Sequence, residues 1–529
     1  MPISALVLCL CLALSFLGGC MKVGPDFRPP KAPVNEAWLE AEYAKSRPDL
    51  PVYPLWWQQL GDPVLDNLVT LARQQNLPLI TAGLRILEAR AQLGVAVGNI
   101  YPQTQQGAAS LTYSQMSQRG PTVPQTGKQG SVQWTFWQDN AGFQAAWELD
   151  FWGKFRRGIE GAEANLAASV ADYDNALVTL CSDVATNYVN LRVGEERLRI
   201  AKENASLERE ALNIADVRFQ LGATSERDVM QAKTLLESTE STIPQFTAAI
   251  EQSHHALCLL LGLPPSDLAQ LLGQKSQIPV CPEEIGVGIP ADLLRRRPDI
   301  RQAEFTAAAQ CAAIGVAKAD LYPSFSLTGS VGWMSSSYQK FQLADLFTNK
   351  TATASFVPGV TWNLFNYGQI MNNVRVQDAR FQQALTTYTN TVLTALKEVE
   401  DGLSSYQQTK EQAVRLARAV DAAKRSAELA FLQYREGQTD FTTVIVAQRD
   451  QLNDQDSLAQ VQGNIVLGMV GLYRSLGGGW EIRSDGDTVP APVKEEMAKR
   501  TYWGPILKES PDKQEDPAKR GPGRYVPDF

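Results

Sequence analysis

Histidine is nearly absent from this 529-residue chain: there are two, His254 and His255. Adjacent positions fall on different faces of a helix, so they cannot make the i, i+4 pair of a zinc helix. A phosphate-binding loop and a Gly-x-Ser-x-Gly nucleophile turn are also missing, and Gly286-Val287-Gly288 is too short for a dinucleotide fingerprint. The chain is therefore read as not an enzyme, with no catalytic residues, no bound metal and no cofactor. Basic clusters are lacking as well. Lys and Arg number 49 against 57 Asp and Glu, for a net charge of −8, and no basic face forms. Nucleic acid needs concentrated positive charge, so it is excluded as a partner. The acidic balance suits a solvated surface and a cation-attracting lumen equally well.

Cysteine is sparse, with seven residues, and none has metal-ligand spacing. Cys9 and Cys11 lie in the leading segment, Cys181 and Cys258 sit in helical patterns as small buried hydrophobes, and Cys281 and Cys311 suggest no particular disulfide. One long apolar run exists, residues 3–19, ending in Leu17-Gly18-Gly19-Cys20. Its length suits a signal-peptide core over residues 1–19 better than a spanning helix, although no Lys or Arg precedes it.

Proline, 29 residues in all, is missing from the 131 positions Gly359 to Val489. Inside that gap runs an apolar stripe: Phe381, Leu385, Tyr388, Val392, Ala395, Val399, Leu403, Tyr406. Steps of three and four mark a helix with one buried face. The same steps occur 215 positions earlier, in Leu166, Val170, Tyr173, Leu177, Leu180, Val184, Tyr188 and Leu191. The chain holds two copies of one very long helix.

The rest follows that duplication. Residues 20–60 are Pro-rich and read as an extended N-terminal segment. Residues 61–265 form a first repeat of helix, strand hairpin, long helix and helix. Its first helix stops at Tyr101-Pro102. Its strands lie near 108–116 and over 132–151, where Val132, Trp134 and Phe136, then Phe143, Ala145, Trp147 and Leu149 alternate with polar residues. Gly222 breaks the long helix, and Pro244 predicts a kink or brief break in the next. Residues 266–288 are a linker, and 289–480 repeat the plan: Ala312–Pro323 matches Ala91–Pro102 at an offset of 221, and Gly222, Thr224 and Leu261 match Gly437, Thr439 and Leu476 at 215. Residues 481–529 read as an extended or disordered tail. The fold class is mainly α, with long helical hairpins and four strands per chain.

Four strands cannot close a barrel within one chain, and open sheet edges are forbidden in lipid. Either the strands are soluble or several chains pool them; three chains would supply twelve. A helix of such length likewise needs partners along its flank.

Leu17-Gly-Gly-Cys20 resembles the bacterial lipobox. With Val23-Gly-Pro-Asp-Phe-Arg-Pro-Pro30, the Leu93-Gly-Val-Ala and Ile314-Gly-Val-Ala helices ending in Tyr-Pro, both hairpin turns and Leu476-Gly-Gly-Gly-Trp480, the chain resembles TolC-like outer-membrane efflux proteins of the OprM/NodT lipoprotein type over nearly its whole length. The resemblance implies a covalent lipid on Cys20 and, with Met21 following it, sorting to the outer membrane. It implies a homotrimer with a twelve-stranded barrel in outer-membrane lipid and a periplasmic tunnel. The role it implies is a passive exit duct for an inner-membrane RND-type transporter, joined through a periplasmic adaptor.

By the same resemblance the narrow end of the tunnel lies at the hairpins Gln220–Asp228 and Arg435–Thr443. Asp228 matches the acidic residue of the first family hairpin; it reads either as a gate carboxylate, one of a ring of three, or as a helix-terminus stabiliser. Thr439 and Val446 stand where relatives often carry acids, leaving Asp440 as the nearest carboxylate. Tyr434 reads as packing between the hairpins or as an ordinary core aromatic. Gly222 and Gly437 are turn glycines at tips that would meet the adaptor. Trp134, Trp147, Trp333 and Trp362 read as an interfacial belt or as the core of a soluble sheet. Alternatives are a type I protein-secretion channel on the same fold, or a lipid-anchored adaptor, which would carry one hairpin rather than two.

Overall fold

The computed structural model describes residues 21–31, 33–35, 37–39, 46–47, 53–117, 134–273, 277–282, 285–287, 291, 296–337, 346–485 and 487–507. The segment 1–19, Cys20, Val132 and the end of the tail lie outside them. Helix α1 spans Pro63–Gln75 and α2 Leu77–Gly98. Strands β1, Thr104–Gln115, and β2, Thr135–Leu149, lead into α3, Lys154–Gln220, and α4, Glu226–Leu260. The second repeat supplies α5, Pro298–Ala319, β3, Ser324–Ser336, β4, Ala352–Thr361, α6, Gln369–Arg435, and α7, Phe441–Ser475. Helices α3 and α6 have 67 residues each and α4 and α7 have 35 each. At 1.5 Å per residue, α3 and α6 are about 100 Å long.

Both stripes turn inward. Every member of the first is buried; in the second, Tyr388 to Tyr406 are buried and Phe381 and Leu385 half-buried. They meet α1, α2 and α7 in one core that also takes Trp56, Trp57, Leu65, Leu68 and Ile86. Each fully covered Leu or Val side chain contributes about 1.5–3 kcal/mol.

The duplication extends to single hydrogen bonds. Asn76 Nδ2 donates to Leu260 O at 2.9 Å, and Arg297 Nη1 donates to Ser475 O at 2.9 Å. Trp147 Nε1 donates to Ile100 O at 2.8 Å, and Trp362 Nε1 to Leu321 O at 3.1 Å. Each pair occupies matching places in the two repeats, so the same staples fix the hairpin root and the strand–helix junction twice.

Several elements differ from the sequence expectations. The first helix is two, because Asn76 accepts from Leu79 N at 2.9 Å and restarts the helix with Pro78 in its first turn. Helix α4 passes through Pro244 without a break; Pro244 is exposed, where water can satisfy the carbonyl it strands. Residues 56–60 form a 3₁₀ turn that buries both tryptophans, so the N-terminal segment is not extended throughout. The linker holds a helical turn, Ala269–Leu272, and Ile285–Gly286 pairs with Ser46–Arg47. Within the described part of the tail, Trp480–Asp485 is 3₁₀, helix α8 spans Ala491–Arg500, and Val489 and Met497 bury against Leu87. Its few apolar residues have a groove on α2 to fill, and that outweighs its charged composition. Cys181 and Cys258 are buried, and all four described cysteines are free. Burial pushes the Cys181 and Cys281 thiols up to about 12, which makes them inert.

Candidate functional site

Two regions carry the chemistry: the sheet at one end of the long helices and the hairpin tips at the other. The sheet has strand order β1-β2-β3-β4, antiparallel throughout, with β1 and β4 as edges that no other described residues pair. Residues directly opposite one another share a face. The register places Leu111, Tyr113, Trp137, Phe143, Val331, Phe356 and Val360 on one face, all exposed, and Gln106, Ser110, Asn140, Gln144, Ser330 and Ser355 on the other. Apolar side chains that project from one face and cover no core mark a surface built for lipid, and the polar face is suited to water. Trp134 and Trp362 lie just beyond the strand ends, and Phe136 falls on the polar face, opposite in phase to Phe143. No helix among the described residues is long and apolar enough to cross a membrane.

At the other end, Gly222 and Gly437 turn the chain with φ of 70° and 76°. Gly222 N bonds Phe219 O at 2.9 Å and Ala223 N bonds Arg218 O at 2.8 Å, and Gly437 and Gln438 repeat the pattern on Tyr434 O and Gln433 O. Asp228, only 6 % exposed, accepts from the hydroxyls of Thr224 and, at 3.3 Å, Ser225. Asp440 is the exposed N-cap of α7, accepting from Thr443 N at 3.1 Å and Thr443 Oγ1 at 2.8 Å. Those two bonds hold its carboxyl below the usual range. In repeat terms Asp228 matches Thr443 and Asp440 matches Ser225: the acid and the hydroxyl have exchanged places around the same cap. Asp440 therefore caps its helix, whereas Asp228 lies in the first turn of α4 and holds the two hydroxyls before it.

Tyr434 is buried against Phe441, ring centroids 5.0 Å apart, with Arg218 stacked over it at 4.7 Å. Arg218 also donates to Tyr434 O and, at 3.5 Å, to Arg435 O, tying the end of α3 to the carbonyl end of α6. A second tie lies further up the seam: Arg197 donates to both carboxylate oxygens of Asp456 at 2.6 and 3.0 Å and covers the Phe246 ring. Apart from the buried Glu208, the seam between them holds small and neutral groups, with Ala211 and Ala215 clustered with Val444 and Ala447, and Asn204 bonded to Gln455 at 2.8 Å. Sequence reasoning missed Arg197, Asp456 and Arg218, because neither α3 residue has a charged counterpart in the other repeat. Their matches are Gln412 and Gln433.

The model for outer membrane efflux proteins matches residues 68–263 and 289–478, the two repeats in turn. This chain belongs to that family. It is 31 % identical to Nodulation protein T of Rhizobium leguminosarum bv. viciae, over 88 % of this chain and 92 % of that one. It is 30 % identical to the probable efflux pump outer membrane protein TtgC of Pseudomonas putida, over 90 % and 96 %. Among solved structures, the outer-membrane channel OprN superposes with a TM-score of 0.80 at 32 % identity, over 87 % of this chain and 99 % of that one.

As an outer membrane efflux protein the chain resides in the outer membrane, serves as an efflux exit channel and is not an enzyme. The two-faced sheet is its membrane part and the helices are its periplasmic tunnel. The residues just after Cys20 sit where these two parts join. Val23 N bonds Trp152 O at 3.0 Å, and the fully buried Arg157 donates to Val23 O at 3.0 Å, Gly24 O at 3.1 Å and Asp26 at 2.8 Å. Gly24 lies so close to Gly315 that a Cβ would come within 2.5 Å of its Cα.

Proposed function

We propose that three copies of this chain close a twelve-stranded barrel and continue it as a tube of hairpins, whose tips receive a periplasmic adaptor and, through it, an RND-type inner-membrane transporter. The observation that carries this is the four-stranded sheet, apolar on one side and polar on the other, with two long unpaired edges. In lipid each unpaired amide costs several kcal/mol, so the edges must join those of neighbouring copies. Exposed Met371, Val376, Leu393, Val414 and Leu432 along α6 support the same closure. Detergent-purified protein should run as a heat-modifiable particle of three copies with an axial bore. Compact monomers would overturn the reading.

Cys20 is the proposed lipid site: three residues further along the chain, Val23 is fixed at the strand–helix junction, the level at which an acyl chain would enter the inner leaflet. Cys20→Ala should lose palmitate labelling yet remain a membrane-embedded trimer; a soluble monomer would instead indicate an adaptor.

The gate reading passes to the tip charges. Asp228→Asn with Asp440→Asn removes the charge while keeping one carbonyl acceptor at each position, and at Asp440 that one oxygen takes both bonds from Thr443. It should leave thermal stability unchanged and lower the cation preference of the pore in planar bilayers. An unchanged reversal potential would remove both residues from the gate.

A further inference from the structure

Glu208 stands on α3 within the seam, one turn below Asn204, and is only 2 % exposed. Its Oε1 accepts from Thr239 Oγ1 of α4 at 3.0 Å, while Oε2 is buried with no donor among the described residues. Burial should drive such a carboxylate out of the native packing or into its neutral form. We propose that Glu208 is a proton-operated latch of the seam between the two hairpins: neutral, it lets α3, α4 and α7 close on one another, and ionised, it favours their separation and the entry of water.

The surroundings support this. The charged neighbour on α4 is Glu240, held by Arg209 of α3. On α7, counting down from the Asn204–Gln455 pair, the residue opposite is the neutral Gln451. The small cavity next to it is lined by Gln448 and Gln451, with Glu210 of α3 and Lys424 and Glu428 of α6 at its mouth. Among the described residues no cation is therefore bonded to the buried oxygen, and Gln448 Oε1 is another buried acceptor without a donor. A proton on Glu208 removes the charge that this seam leaves uncompensated. Burial, reinforced by Glu240 and partly offset by the Thr239 bond, raises the Glu208 carboxyl to about 7.

A carboxyl raised in the closed state holds more protons there than in a hydrated one. The closed seam is thus fully stabilised below the ordinary carboxylate range, and that stabilisation is lost as pH rises through about 7. Between those limits the ratio of separated to closed seam changes by up to about tenfold per pH unit.

The proposal rests on the channel reading, so two measurements are paired on the full-length protein. In planar bilayers, open probability of the wild type should rise about tenfold from pH 6 to pH 8, while Glu208→Gln should stay near the wild-type pH 6 value throughout. By thermal unfolding, which needs no pore, Glu208→Gln should match the wild type at pH 5 and exceed it at pH 8. Glu240→Gln should move the wild-type midpoint to lower pH. If Glu208→Gln keeps the wild-type pH dependence in both measurements, the latch is wrong. If the stability difference appears without any pore, the latch stands and the channel reading fails.

Discussion

Arg157→Ala is expected to release the segment that follows Cys20 and to lower the stability of the protein by about 2–4 kcal/mol, the cost of leaving buried carbonyls without donors. The guanidinium is 1 % exposed and serves Val23 O, Gly24 O, Asp26 and Glu160 together. Asp26 is 81 % exposed and Glu160 32 %, so both carboxylates can regain water once the arginine is gone. The two carbonyls cannot, because Gly24 is pressed onto Gly315. Arg157→Lys keeps the charge but not the planar fork and should recover only part of the loss. The measurements are the thermal midpoint and new protease cleavage within residues 21–31. An unchanged midpoint with no new cleavage would show that the segment docks by other contacts.

The second large effect is expected from loosening the tips. Arg218→Ala together with Asp456→Ala removes the two ties that bracket the seam. Each is worth about 1–1.5 kcal/mol at half-buried positions. The arginines stand 21 positions apart on α3, or about 30 Å, too far to couple directly, so the effects should add. About 2–3 kcal/mol corresponds to a roughly 30- to 140-fold rise in open probability in planar bilayers. Each single variant should give about tenfold. No rise in the double variant would mean that neither tie holds the tips together.

The frame was legible because its determinants repeat. The stripes, the turn glycines and the shared offsets disclosed both long helices, both hairpins and the four strands. What escaped depended on chemistry that local pattern does not carry. Asn76 was read through because Leu77 and Leu79 continue the apolar run, and a cap acts through one side-chain bond. The tail was judged by composition, whereas Val489 and Met497 find a place on α2 that only the folded chain creates. The two alternating runs, Trp134 to Phe136 and Phe143 to Leu149, differ in phase in the sequence, and the pairing register puts Phe136 on the polar face and Phe143 on the apolar one. At the tips, the carboxylates Asp228 and Asp440 were visible, but helix-end stabilisation was weighed only for Asp228, whereas Asp440 is the one that accepts a backbone N–H. Arg218 and Glu208 gave no signal, since a single charged residue on a helix of 67 is ordinarily a solvated one.

The Asn76 and Arg297 staples have a consequence for how the assembly moves. They recur at matching places about half-way along the long helices, as do the Trp147 and Trp362 staples next to the strands, so in a ring of three copies the collar between these two levels is held by six near-equivalent anchors at each. Toward the tips that equivalence lapses: Arg197, Asn204, Glu208 and Arg218 of α3 correspond to Gln412, Ala419, Ala423 and Gln433 of α6. The tube thus passes from quasi-sixfold at its collar to strictly threefold at its mouth. Any dilation would therefore advance alternate hairpins, three leading and three following, and leave the collar still.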